Sequence, residues 1–163
     1  MNAVADAKPP ARREVTITRI IDAPRALVFK MWTDPKHMAQ WWGPRGFTNP
    51  VCELDARPGG ALRIVMRAPY GVDYPMVGTF REIVAPQRLV FTAVAQDNDG
   101  NPLLETLTTV TFAEHGDKTR LTVQASAVGL VAHATTMLDG MEAGWTQTVD
   151  RLEEHVGSIG KSS

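Results

Sequence analysis

The chain has 163 residues, of which 44% are hydrophobic and 21% charged, and its formal net charge is −1. This composition excludes a disordered chain and fits one domain of ordinary size, long enough to bury a real core. Its 17 Lys and Arg form no basic stripe, so nucleic acid, whose phosphates require clustered cations, is not an expected partner.

Met1 to Arg13 lack the apolar core of a signal peptide and read as a disordered tail around Pro9-Pro10. Glu14 to Asp22 alternates Val15, Ile17 and Ile21 with Thr16 and Thr18, which predicts a strand. Ala23-Pro24 then opens a helix, since proline at a first helical position loses no needed hydrogen bond. Leu27, Val28, Met31 and Trp32 give that helix its buried face. Asp34-Pro35 breaks it, and a second short helix through Met38 ends before Gly43-Pro44.

Phe47 to Ala56 is the second strand, and Arg57-Pro58-Gly59-Gly60 turns it into Ala61 to Ala68. Tyr74 to Val84 and Arg88 to Gln96 follow, separated by Pro86-Gln87. After the loop Asp97 to Pro102 come Leu104 to Glu114 and Thr119 to Val128. On the last of these, Leu121, Val123 and Ala125 alternate with Thr122, Gln124 and Ser126, so one face is buried and the other wet. Arg63 and Arg67 alternate with inward Ile64 and Met66 and belong on the outer face. Cys52, the single cysteine, rules out an internal disulfide and reads as a small buried apolar group.

Residues 134 to 156 carry an apolar row through Ala134, Leu138, Met141, Trp145, Val149, Leu152 and Val156. Steps of three and four place this row on one face of a long helix. Gly140 and Gly144 beside it each cost a helix about 1 kcal/mol relative to alanine, which implies room for close backbone or for a guest. Gly157 to Ser163 reads as a frayed end, with 158–163 a flexible tail. The expected architecture is α+β: helices segregated on an antiparallel sheet of about six or seven strands, within a single domain over 14–157.

Several local motifs carry a resemblance. They are Asp22-Ala23-Pro24, Trp32-Thr33-Asp34-Pro35, Trp41-Trp42-Gly43-Pro44 with Gly46-Phe47, Asp55 to Gly60, Tyr74-Pro75 before Gly78, and Gly140-Met141-Glu142-Ala143-Gly144-Trp145. Together, over residues 14 to 157, the chain resembles the family named for homologues of the activator of the ninety-kilodalton heat-shock protein ATPase. That family lies within the START-like, birch-pollen-allergen-like (SRPBCC) superfamily. The resemblance implies a helix-grip fold, a bent sheet wrapped around the C-terminal helix with a deep apolar cavity between them. It also implies ligands such as lipids, sterols, polyketides or hormones, with some members acting as cyclases. Members close to this pattern are mostly bacterial.

Candidate lining residues are Trp42, Phe47, Met66, Tyr74, Met76, Phe80, Phe91, Met137, Met141 and Trp145. Methionine adapts its shape to varied apolar guests, and pockets are mostly apolar with a few placed polar groups. His133, just before the long helix, and Tyr74 are the candidate orienting groups. Adjacent tryptophans cannot both point inward from one regular element, so either Trp41 or Trp42 is expected at a pocket mouth or in solvent, where it could serve as a lid or partner contact.

His37, His115, His133 and His155 share no metal-ligand spacing, so no metal is expected. The glycine pairs do not open a strand–helix phosphate loop, so no nucleotide cofactor is expected either. No apolar run approaches the ~20 residues that span a bilayer, so membrane insertion is not expected and the cytoplasm is the expected location.

Three readings follow. The first is a non-catalytic binder of a small apolar ligand held between sheet and helix. The second is an enzyme, a cyclase or hydrolase, using Glu105, Asp73, His133 or Tyr74 as acid–base groups on a hydrophobic substrate. The third is a co-chaperone stimulating a heat-shock ATPase, although the activator that names the family uses an additional N-terminal domain for much of its chaperone contact. Edge strands and an exposed tryptophan also permit a homodimer.

Overall fold

A computed structural model describes residues 11–161, with side chains through residue 159. Residues 1–10 of the expected N-terminal tail, and Ser162 and Ser163 of the C-terminal one, lie outside the described residues. The first strand, β1, spans Arg12–Ile21 and begins two residues ahead of the expected Glu14. Pro24 caps α1 (Arg25–Thr33), and Asp34 ends it while starting α2 (Pro35–Trp41). The Asp34 carboxylate accepts a 2.9 Å bond from the Lys36 amide, filling one of the orphan donors of a helix start.

Six strands follow: β2 (Thr48–Leu54), β3 (Ala61–Arg67), β4 (Asp73–Val84), β5 (Arg88–Gln96), β6 (Pro102–His115) and β7 (Lys118–Gly129). With β1 they form one antiparallel sheet in the order β1-β7-β6-β5-β4-β3-β2. The chain returns through β7 to pair with β1, so the first and last strands lie side by side. Gly78 permits the pairing of β4 with β5, because a Cβ there would stand 1.9 Å from the Thr92 carbonyl oxygen.

Two helices complete the chain, α3 (Ala134–Asp139) and α4 (Met141–Lys161). The single long helix read from the row is thus divided at Gly140, whose backbone (φ −88°, ψ 0°) caps α3 before Met141 starts α4. The row itself survives the break. Ala134, Leu138, Val149, Leu152 and Val156 are buried, while Met141 and Trp145 are half-buried. Ser158 lies in α4 and Ile159 packs on the core, so the helix continues into the segment expected to fray.

The core joins α4 to the inner face of the sheet through Val149, Leu152 and Val156 against Ile21, Leu121 and Val123, with α1 adding Val28, Met31 and Trp32. Phe29 meets Phe112 edge-on at 5.2 Å, fixing α1 to β6. Arg63 and Arg67 are exposed on the outer face, as their alternation predicts. Ion pairs from Arg19 to Asp150 (2.7 Å) and Glu153 (2.9 Å) fasten β1 to α4. Among the described residues, no helix is long and apolar enough to cross a membrane.

Candidate functional site: an apolar cavity under the terminal helices

The core does not fill the whole space between sheet and helices. Under the α3–α4 junction lies a cavity of about 230 Å³. Its floor is the inner face of β3 to β7, reached through Met66, Met76, Phe91 and Ala95, then Leu104, Thr106 and Thr108, then Ala125. Its roof is Met137, Gly140, Met141, Gly144, Trp145 and Thr148, and one side is the Trp42-Gly43-Pro44 turn. Seven expected residues therefore meet around one space: Trp42, Met66, Met76, Phe91, Met137, Met141 and Trp145.

The other four do not line it. Phe80 is 2% exposed and borders a separate, much smaller void deeper in the core, with Ile64 and Phe91. Phe47 stands behind the Trp42-Gly43-Pro44 turn, its ring 6.4 Å from that of Tyr74. The Tyr74 hydroxyl is bonded to Tyr70 at 2.8 Å on an exposed hairpin, and that bond leads the causes raising its pKa. His133 is exposed at the start of α3. Its position before the helix is as expected, yet the chain turns there so that the next residue, Ala134, is the one that buries.

The acid–base candidates are likewise elsewhere. Glu105 is exposed because it has the opposite parity from inward Leu104 and Thr106 on β6. Asp73 is held by a two-pronged bond from Arg67 at 2.8 and 3.2 Å, and that bond is the first cause of its lowered pKa. Among the described residues, no cluster of three or more metal-capable side chains occurs.

The expectation that Trp41 and Trp42 cannot both point inward, which would leave one at a pocket mouth or in solvent, is overturned. Trp41 is 0% and Trp42 6% exposed. Trp41 ends α2 and donates to the Met31 carbonyl at 3.1 Å. Trp42 has already left the helix, with an extended backbone (φ −64°, ψ 136°), so the helical rotation between neighbours no longer applies. Both rings turn inward. Trp42 meets Trp145 edge-on at 5.5 Å and Phe91 at 6.3 Å, forming the aromatic side of the cavity. Neither tryptophan is left as an exposed lid or dimer contact.

Polar bonds hold this wall in place. Arg151 on α4 reaches back under the turn, where Nη1 donates to the carbonyls of Trp42 (3.0 Å), Gly43 (2.8 Å) and Pro44 (3.0 Å). Its Nη2 donates to the Gln40 carbonyl at 3.2 Å. Asn49 Nδ2 also donates to the Trp42 carbonyl at 2.9 Å, and the Arg45 amide donates to Gln147 at 3.1 Å. Gly43 has φ +94°, and a Cβ there would sit 3.2 Å from the Met66 sulfur, so both its conformation and its neighbours favour glycine.

The polar part of the wall is the part that residue-by-residue reading missed. Thr106 Oγ1 donates to the Ala93 carbonyl at 3.2 Å, and Thr148 Oγ1 donates to the Gly144 carbonyl at 2.8 Å. Thr108 is 2% exposed on the same face. The signal was present in the parity of β6, where counting back in twos from buried Phe112 and Val110 places Thr108, Thr106 and Leu104 inside. The arrangement can exclude water from an apolar guest and offer it a few hydroxyl oxygens.

Comparison with known proteins agrees with this architecture. The AHSA1 protein of Silicibacter pomeroyi superposes with a TM-score of 0.76 at 23% identity, over 90% of this chain and 99% of that one. Proteins CV1439 of Chromobacterium violaceum (TM-score 0.73, 26% identity, 87% and 95% covered) and Ms6760 of Mycobacterium smegmatis (0.71, 26%, 90% and 89%) are also similar. No protein with a curated description matches the chain. The family described as Activator of Hsp90 ATPase homolog 1-like protein matches residues 22–157, and the chain belongs to that family.

Proposed function

We propose that this protein binds a small apolar molecule in the cavity beneath α3 and α4 without transforming it. The observation that carries this reading is the composition of the wall, where four methionines and two tryptophans surround about 230 Å³. Methionine side chains adapt to a guest at little cost, and each 100 Å² of apolar surface removed from water contributes roughly 2.5 kcal/mol to its capture. Catalysis by a cyclase or hydrolase would need an acid–base group within reach of the guest. Glu105, His133 and Tyr74 all stand outside the wall.

Native mass spectrometry of freshly purified protein, then of protein exposed to lipids and aromatic metabolites, tests the reading. Retained or captured apolar adducts are expected, and Met141→Glu, at the first position of α4 where a carboxylate suits the helix, should remove them while leaving the fold intact. Uptake that survives Met141→Glu in folded protein would place the guest elsewhere. The family description names an activator of an ATPase, so stimulation of a heat-shock ATPase by the purified chain is measured in parallel. Strong stimulation with no capture of any guest would replace the binder reading.

A further inference from the structure

The cavity wall also specifies what kind of molecule fits. None of the described residues lining it is ionisable. A carboxylate, phosphate or ammonium entering it would give up its hydration with no opposite charge to receive it, and a buried unpaired ion neutralises or stays out. Arg151, whose guanidinium lies under the Trp42-Gly43-Pro44 side of the cavity, is already committed to the carbonyls of Gln40, Trp42, Gly43 and Pro44.

Size sets a second limit. An apolar cavity of ~150 Å³ admits benzene, so 230 Å³ suits a guest of one or two fused rings, whereas a sterol or an extended fatty chain would have to project beyond it.

The third limit is the direction of the hydrogen bonds. A threonine hydroxyl has one hydrogen to donate. At Thr106 that hydrogen goes to Ala93, and at Thr148 it goes to Gly144. What both present is oxygen lone pairs, which favour a guest that donates, while the Thr108 hydroxyl in the same wall can donate or accept and so tolerates such a guest.

We propose that the cavity selects a neutral, compact, ring-containing molecule carrying one O–H or N–H donor, of the phenol or indole class, held by the oxygens of Thr106 and Thr148 among the four methionines. This rests on the binder reading and narrows it.

Calorimetric or tryptophan-fluorescence titration of the full chain with four probes tests the class: 1-naphthol, naphthalene, 1-naphthoate and palmitate. 1-Naphthol is expected to bind about tenfold more tightly than naphthalene, the worth of one net hydrogen bond. Naphthoate is expected to bind at least a hundredfold more weakly than naphthol at neutral pH. The paired variant Thr106→Val, Thr148→Val should erase the preference for naphthol over naphthalene, with an unchanged circular dichroism spectrum reporting an intact fold.

Equal binding of naphthoate and naphthol would overturn the exclusion of charge. Preference for palmitate would overturn the size limit, and a naphthol preference that survives both valines would overturn the role of the threonines. In each of those cases binding itself persists and the broader reading stands. Failure of all four probes together with an empty result from the wide adduct screen would sink both.

Discussion

Arg151→Ala removes the cation that ties α4 to the turn forming the aromatic side of the cavity. Four carbonyls, those of Gln40, Trp42, Gly43 and Pro44, lose a donor at 2.8 to 3.2 Å. A hydrogen bond to a charged group is worth about 1.5–3 kcal/mol, and an unsatisfied buried carbonyl costs about 1–3 kcal/mol. These contributions do not add, because the Trp42 carbonyl keeps its bond from Asn49 and Pro44 is partly open to water. A total loss of about 3 kcal/mol follows, which for a chain of this size lowers Tm by about 6–12 °C.

Arg151→Lys keeps the charge but not the fork, so roughly half the loss is expected. Urea denaturation should show a lower midpoint with unchanged m in both variants, and guest affinity should fall with stability because Trp42, Gly43 and Pro44 are wall residues. Arg151→Ala within about 0.5 kcal/mol of the unaltered protein, at equal guest affinity, would refute the idea that this arginine holds the wall.

Other consequences are equally direct. Gly144→Ala should stabilise the empty protein by about 1 kcal/mol, because a Cβ there meets only Pro44 Cγ at an ordinary 3.7 Å; a lower thermal midpoint would contradict the geometry. Its methyl should also weaken guest binding, since Gly144 lines the cavity.

His155 lies 3.1 Å from His37, and burial followed by that neighbour holds its pKa below the ordinary 6.5. Unfolding therefore takes up a proton, so this group's stability is full above about pH 6.5 and is lost as pH falls through the lower folded value. Denaturant titrations across that range should show a shallower pH dependence in His155→Gln, and identical profiles would contradict the assignment.

Cys52 is half-buried, and desolvation ahead of the Glu53 charge pushes its thiol from 9.0 up to about 11. Thiol labelling near pH 8 should run on the order of a hundredfold slower than for an unperturbed thiol, since two pKa units separate their thiolate fractions. Labelling at the free-thiol rate would show that the strand opens.

Most strands were legible because half-buried antiparallel strands alternate, and Leu121, Val123 and Ala125 against Thr122 and Gln124 leave little choice of face. The Pro and Gly punctuation at Asp34-Pro35 and Pro58-Gly59-Gly60 marked chain reversals for equally local reasons. The break at Gly140 was not legible, because an apolar row keeps its three-and-four spacing across a single capped residue.

Trp41 and Trp42 misled because the spacing argument assumes that a regular element continues, and α2 stops between them. In the cavity, the methionines and aromatics announced themselves by type. Thr106 and Thr108 did not, since exposed Leu107 between them reverses the usual rule of apolar inside and polar outside. His133, Tyr74 and Glu105 drew attention by chemistry alone. Their places were set by a helix start, a hairpin tip and the parity of β6.

The measurement that bears most directly on the cavity is a titration followed through methionine methyl resonances, using protein labelled at the methionine methyl carbon and 1-naphthol as the probe. Met66, Met76, Met137 and Met141 line the cavity, whereas Met31 and Met38 are buried in the core away from its wall. The four wall resonances should shift together along one saturating curve, leaving Met31 and Met38 nearly still. Saturable shifts confined to Met31 and Met38, or no saturable shift with naphthol or any apolar probe, would contradict a binding cavity beneath α3 and α4.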